Sequence, residues 1–191
     1  PWSPGRSDDD KVLGSLDALR RQRVVATVKM DGENTSLYAD GYLHARSIDG
    51  RNHPSRAWVK RFWAARAADL PEGWRVCGEN VFARHSIGYD DLPSYFLGFG
   101  LWNERNVCLP WDETLEWFAL LGVTPVPVLH DGPFDEAALR ALRVPDCQEG
   151  FVVRIAGAIP YSRFRGLVGK FVRANHVQTD RHWMDGPVVP N

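Results

Sequence analysis

Apolar and β-branched runs of four to eight residues recur along this chain, and polar breaks with turn chemistry separate them. Residues 23–30 (RVVATVKM) form a continuous apolar run of strand composition, closed by Asp31-Gly32 as a turn. Residues 35–39 and 42–46 flank Asp40-Gly41, a two-residue hairpin signal. With that turn, facing residues carry numbers summing to 81, which sets Arg46 opposite Thr35 and returns it toward Lys29. Residues 54–70 show helical spacing, with Trp58, Val59, Phe62 and Trp63 apolar and Pro54 near the first turn. Residues 74–80, 95–102 and, after a turn at 103–106, 107–109 read as strands. Asp112 is placed to cap a helix that Gly122 stops, and Asp135 to cap another reaching about Leu142. The alternate prolines of residues 123–129 mark an edge or connector. Residues 150–155 and 167–172 supply the last strands, while 12–21 is a short helix and 1–11 an irregular arm.

Long strand-rich stretches with a few inserted helices, and no βαβ alternation, predict an α+β domain of antiparallel sheets flanked by helices. No repeat or interdomain linker divides residues 1–191, so a single domain is expected. Lys and Arg number 23 against 24 Asp and Glu, and a net charge of −1 argues against indiscriminate coating of nucleic acid. The charge is uneven, however. Residues 46–66 hold Arg46, Arg51, Arg56, Lys60, Arg61 and Arg66 against Asp49 alone, and a second run holds Arg163, Arg165, Lys170 and Arg173. Two such runs in a near-neutral chain point to a local polyanion site.

No stretch reaches the roughly 18 apolar residues a membrane span requires, and no charged-then-apolar signal pattern opens the chain. The expected partners therefore include no membrane. Cys77, Cys108 and Cys147 are odd in number and lack CxxC spacing, so reduced thiols and a cytoplasmic location are expected. Residue 1 is Pro rather than Met, as expected of a trimmed or processed end.

Walker A, HExxH and GxSxG motifs are missing, and Gly98-Phe99-Gly100 is a lone GxG. What stands out is charge in strand-like surroundings: Lys29 at a strand end, Glu79 after Gly78, Glu149 before Gly150, and Lys170 inside an apolar run. A charged residue there faces solvent, pairs, or serves a site.

Lys29-Met30-Asp31-Gly32 resembles the KxDG nucleotidyl-acceptor motif of the superfamily of DNA ligases, RNA ligases and mRNA-capping enzymes. Four residues alone recur by chance, but further motifs follow in the same order. Arg46-Ser47 looks like the next motif and Gly78-Glu79-Asn80 like the hydrophobic-Gly-Glu motif. The aromatic motif is similar to residues 96–99. Residues 149–153 (EGFVV) match EGxVx, and Lys170 falls at the final lysine motif. Asn34 after KxDG, the compact size, and the segments WDETLEWFALLG and KFVRANHVQTD resemble the ATP-dependent RNA-ligase branch. No oligonucleotide-binding domain follows, so a two-domain DNA ligase or capping enzyme fits less well.

The resemblance implies a nucleotidyltransferase fold of ligase and capping-enzyme type, and a reaction through lysyl-AMP that seals RNA 5′-phosphate and 3′-hydroxyl ends. It implies ATP as AMP donor, Mg²⁺ or Mn²⁺ as metal, and RNA as partner, with further repair domains outside this chain also expected. Lys29, Glu149 and Lys170 would be catalytic. Val28, Lys29, Arg46, Glu79, Phe99, Glu149 and Lys170 would bind nucleotide, with Phe99, or Phe96 in a shifted register, stacking on adenine. Asn34, Arg46 and Arg173 would touch RNA, and Glu149 would hold the metal. A free lysine is neutral in only about 0.04% of molecules at pH 7, so Lys29 needs a lowered pKa or a proton acceptor.

Two positions depart from the family pattern. The second lysine of the last motif is replaced by Val172, which leaves either a bulge to bring Arg173 round or Lys170 acting alone. Gly100 follows Phe99 where an Asp is common. A DNA-nick ligase, a guanylyltransferase and a non-sealing protein that binds RNA ends are the competing readings.

Overall fold

The computed structural model describes residues 2–5, 12–45, 53–174 and 187–191. Strands β1 (Arg23–Lys29), β2 (Glu33–Tyr38) and β3 (Leu43–Ala45) precede helix α1 (Ala57–Ala64). Strands β4 (Arg75–Asn80), β5 (Phe96–Trp102) and β6 (Val107–Cys108) lead to α2 (Trp111–Leu121). Then come β7 (Thr124–Pro125), β8 (Val128–Pro133) and α3 (Glu136–Arg140), followed by β9 (Gly150–Ile155), β10 (Ile159–Pro160), α4 (Phe164–Leu167) and β11 (Val168–Val172).

Five successive residues of β1, Val24 to Val28, are buried, as expected of a strand covered on both faces. It lies inside a four-stranded sheet of order β11-β9-β1-β8. The other sheet runs β10-β6-β5-β4-β2-β3, with β7 beside β5 as the one parallel pairing among the described strands. The α+β architecture of antiparallel sheets is thus as the sequence predicts.

Several local expectations change. The β2–β3 partners are Thr35 with Ala45 and Leu37 with Leu43, so their numbers sum to 80 and the loop holds three residues. Gly41 supplies the positive φ of 82° that this loop requires, and Asp40 accepts from the Tyr42 N–H at 2.9 Å. Arg46 lies outside the described residues, as do His176 and His182. The predicted 54–70 helix is divided into a 3₁₀ turn (Pro54–Arg56), α1, and a second 3₁₀ turn (Ala67–Asp69). Asp112 caps nothing; its carboxylate takes two bonds from Arg23, at 2.6 and 2.9 Å, and Pro110 stands at the cap. Residues 16–20 form hydrogen-bonded turns rather than a helix.

Between the seven-stranded sheet and α1 and α2 lies a core that includes Leu37, Val59, Trp63, Phe96 and Phe118. Trp63 is fully buried and donates its indole N–H to the Tyr38 carbonyl at 2.7 Å, and Trp58 stacks on Phe62. Trp63 is thus a core residue, as expected, while Trp58 is half-buried and packs against that core. A second core joins the sheets through Val24, Ala26, Trp102, Phe151 and Ile155. Arg154 ties the sheets together at one end of β9. Its buried guanidinium donates to the Leu109 carbonyl at 2.8 Å and reaches Cys108 Sγ at 3.3 Å. At the outer edge, Ser3 Oγ exchanges hydrogen bonds with the Val172 backbone, and the Gly5 N–H adds another at 3.1 Å.

Candidate active site

Lys29 is the last residue of β1 and pairs with Gly150, the first residue of β9. A Cβ on Gly150 would sit 1.9 Å from the Phe171 carbonyl oxygen, so only glycine lets β9 and β11 close here. Glu149 enters directly beside it, and the Lys29 ammonium donates to the Glu149 carboxylate in a part-buried ion pair. The two side chains are only 24% and 12% exposed, which rules out a freely solvated lysine.

The chain then turns through Asp31-Gly32. Here too a side chain is excluded, since a Cβ at Gly32 would lie 2.6 Å from the Asn80 carbonyl. Asp31 hangs this turn on the 81–95 loop. Its N–H donates to the Tyr89 hydroxyl and its carboxylate accepts from the Ile87 N–H, both at 2.8 Å. Burial raises the Tyr89 phenol far above its usual range, so it stays protonated as an acceptor with a proton to give elsewhere.

From the other sheet comes Glu79, opposite Asn34 in the β2–β4 ladder. Burial lifts the Glu79 carboxyl to about 8; the Lys29 ammonium pulls it down, while Glu149 and Asp31 push it further up and the Gly32 N–H lowers it. One lysine and three carboxyl groups therefore share a single field where the two sheets meet. Asn34 is exposed beside them.

Phe99 and Phe96 are separated by a β-bulge. Cys77 pairs with Gly100 and Gly78 with Gly98, which leaves Phe99 as the extra residue. Bulges re-aim side chains, and Phe99 is the one residue of β5 that is not buried. Phe96 is fully buried against Phe62 and the core under α1, so Phe99 is the ring with an open side. Val28 is buried, and its N–H donates to Pro127.

Lys170 is exposed and lies in register with Val152 and Thr27; Val172, Gly150 and Lys29 form the row two residues along. Side chains two apart share a face, so Lys170 stands on the Lys29 face, with backbones about 12 Å apart by sheet spacings. The β9–β11 register runs unbroken to Val172, which is buried, so no bulge brings Arg173 round. Instead the Arg173 guanidinium donates to the carbonyls of Gln148 and Asp146, both at 2.8 Å, and its N–H to that of Glu149 at 3.1 Å. Arg173 braces the loop that delivers Glu149.

A family model described as RNA ligase matches residues 22–172. The chain belongs to the RNA ligase family. No curated protein matches it in sequence. Among solved structures, an archaeal ATP-dependent RNA ligase is similar at 20% identity with a TM-score of 0.59, over 90% of this chain and 49% of that one. An RNA ligase variant from Naegleria gruberi without ligand aligns at 16% identity and TM-score 0.67, over 94% and 59%. Another variant of that ligase, with ATP and Mn, gives 16% and 0.66 over 93% and 58%. These likenesses establish the ligase nucleotidyltransferase fold, and this RNA-ligase-family chain spans about half to three-fifths of those structures.

Sequence patterns missed several supporting residues. Arg56, counted in the basic run expected to meet a polyanion, is buried in an ion pair with Glu33, its Nε 2.8 Å from the carboxylate. Arg66 lies 4.0 Å over the Phe62 ring and donates to the Leu121 carbonyl. The 46–66 basic run is thus partly structural. Tyr89 and Ile87 sit in a loop with no periodic signal. All three cysteines are free, as expected. Among the described residues, no helix is long and apolar enough to cross a membrane.

Proposed function

We propose that this chain is the adenylyltransferase unit of an ATP-dependent RNA ligase, with Lys29 as the residue that carries AMP. The observation that carries the reading is the Lys29–Glu149 pair at the meeting of β1 and β9, with Glu79 in its field. Lys29 Nζ, once it has lost a proton to solvent, attacks the α-phosphorus of ATP. The N–P bond forms, the bond to the bridging oxygen breaks, and pyrophosphate leaves with that electron pair. Adenylate then passes to an RNA 5′-phosphate, and a 3′-hydroxyl displaces AMP to form the phosphodiester.

Glu79, neutral near pH 7, both donates and accepts, which suits a ribose hydroxyl. Phe99 offers its open face to adenine. Val28 lines the nucleotide pocket beside Lys29, and Lys170 balances charge building on phosphate. Asn34, exposed beside Glu79, would meet RNA. Among the described residues no three His, Cys, Asp or Glu form a metal cage. A single buried carboxylate suits Mg²⁺ or Mn²⁺, which keep waters and share phosphate oxygens, so Glu149 would hold the ion. The ion, when bound, supplies charge neutralisation at the α-phosphate.

Incubation with α-labelled ATP and Mg²⁺ tests this. One AMP should attach to Lys29 in an acid-stable phosphoramidate, and Lys29→Ala should abolish it; label persisting in that variant sinks the assignment. GTP in place of ATP, and DNA in place of RNA nicks, separate the guanylyltransferase and DNA-ligase readings. Burial of Val172 where the family carries a second lysine favours one further reading, adenylylation with poor sealing. Slow sealing of pre-adenylylated RNA alongside fast self-adenylylation is its signature.

A further inference from the structure

The basic and aromatic residues between β10 and β11 have no part in the site just described. Residues 157–173 contain no Asp or Glu. Lys170 and Arg173 belong to the site and its loop, but Arg163 and Arg165 stand apart, exposed, and make no ion pair or side-chain hydrogen bond among the described residues. Interleaved with them are Tyr161 and Phe164, 62% and 37% exposed. Single exposed aromatics are ordinary; two rings and two unpaired arginines within five residues are not.

The rings are also held in place. Tyr161 meets Trp102 edge-on with centroids 5.9 Å apart, and Phe164 tilts against the same indole at 5.8 Å. Trp102 is buried, and Arg75 covers it with its guanidinium 4.8 Å from the ring centroid. Rings anchored in this way have less freedom to lose when another flat group stacks on them.

We propose that the 161–165 turn is a contact surface for single-stranded RNA, with Tyr161 and Phe164 stacking on bases and Arg163 and Arg165 meeting phosphates. The proposal rests on the RNA-ligase reading above and extends it to a second place on the molecule. Alternating cations and π faces match a strand whose phosphates and bases alternate, and the lack of any acid nearby suits a polyanion. The turn feeds β11 at Val168, opposite Arg154, whereas the Lys29 row meets β11 at Val172. Four residues separate the two, about 13 Å along the strand. An RNA end at Lys29 would therefore reach this turn through the nucleotides next to that end.

Fluorescence anisotropy of a labelled single-stranded RNA 12-mer bearing a 5′-phosphate, titrated with the full chain at several salt concentrations, tests the surface. The double variant R163A/R165A should bind about tenfold more weakly, with a salt slope shallower by about 1.4 for two lost phosphate contacts. Tyr161→Ala should weaken binding by about tenfold with the slope unchanged. A double lysine variant (R163K/R165K) should keep the wild-type slope, which separates charge from folding. AMP transfer to Lys29 should be unaffected throughout. Unchanged RNA affinity and slope in R163A/R165A overturn the proposal and mark the turn as a protein-docking face, while intact AMP transfer there leaves the ligase reading standing. A wild-type chain that binds RNA through this turn yet takes up no AMP overturns that reading alone.

Discussion

Glu79 holds a proton that its position in the chain does not advertise. An unfolded glutamate titrates near 4.3, while burial raises the folded carboxyl to about 8. Folding is therefore favoured by the protonated form; that contribution is complete below about 4.3 and is lost as pH rises through about 8. Glu79→Gln is neutral at every pH and escapes this loss. Its melting temperature relative to wild type should climb between pH 5 and pH 8.5 without nucleotide, measured by thermal melts; a flat difference would contradict the buried, proton-holding carboxyl. Gly150 makes a related point through packing. A methyl group there meets the Phe171 carbonyl, so Gly150→Ala should cost about 1–3 kcal/mol or more, read as a lower denaturant midpoint. The sequence shows a glycine beside a glutamate, and only the backbone of another strand explains it.

The β9–β11 pair and the loop before it act together. Arg173 joins three carbonyl-bearing residues of that loop, Asp146, Gln148 and, through its N–H, Glu149. Removing a charged donor leaves two carbonyls unbound, so Arg173→Ala should lose about 2 kcal/mol and slow self-adenylylation by roughly tenfold. Arg173→Lys should recover little, because one ammonium cannot span both oxygens. Unchanged adenylylation in the alanine variant would remove Arg173 from the positioning role. Most strands were legible at this scale, because β1, β5 and β9 are dominated by apolar and β-branched residues, and β4 and β11 carry shorter apolar stretches. The failures were geometric. Residues 54–70 carry helical spacing throughout, yet Arg66 leaves the helix to bind the Leu121 carbonyl and lie over Phe62. The β2–β3 loop takes three residues because Gly41 adopts the left-handed region while Asp40 caps the turn, and Asp40-Gly41 alone did not distinguish two residues from three.

Across the whole molecule, residues distant in sequence converge on one turn. Asn191 donates to the Val81 carbonyl at 2.7 Å and accepts from the Tyr89 N–H at 3.0 Å, while its own carbonyl accepts from the Tyr95 hydroxyl at 3.0 Å. Tyr89 in turn holds Asp31. Asn191→Ala should raise amide exchange at Ile87 and Tyr89 by about tenfold or more, since two side-chain bonds are lost, while β1 stays protected. Hydrogen exchange with mass spectrometry reads this directly, and equal protection in both proteins would uncouple the tail from the site. No pattern around Asn191 announces such a role, because its partners lie about a hundred residues away.

The contact of residues 3 and 5 with Val172 has a consequence for how these molecules meet one another. Sheet borders normally invite a foreign strand to continue the ladder. Here the invitation is already taken at that spot, so a second polypeptide seeking to pair with β11 at Val172 would first have to evict residues 3 and 5.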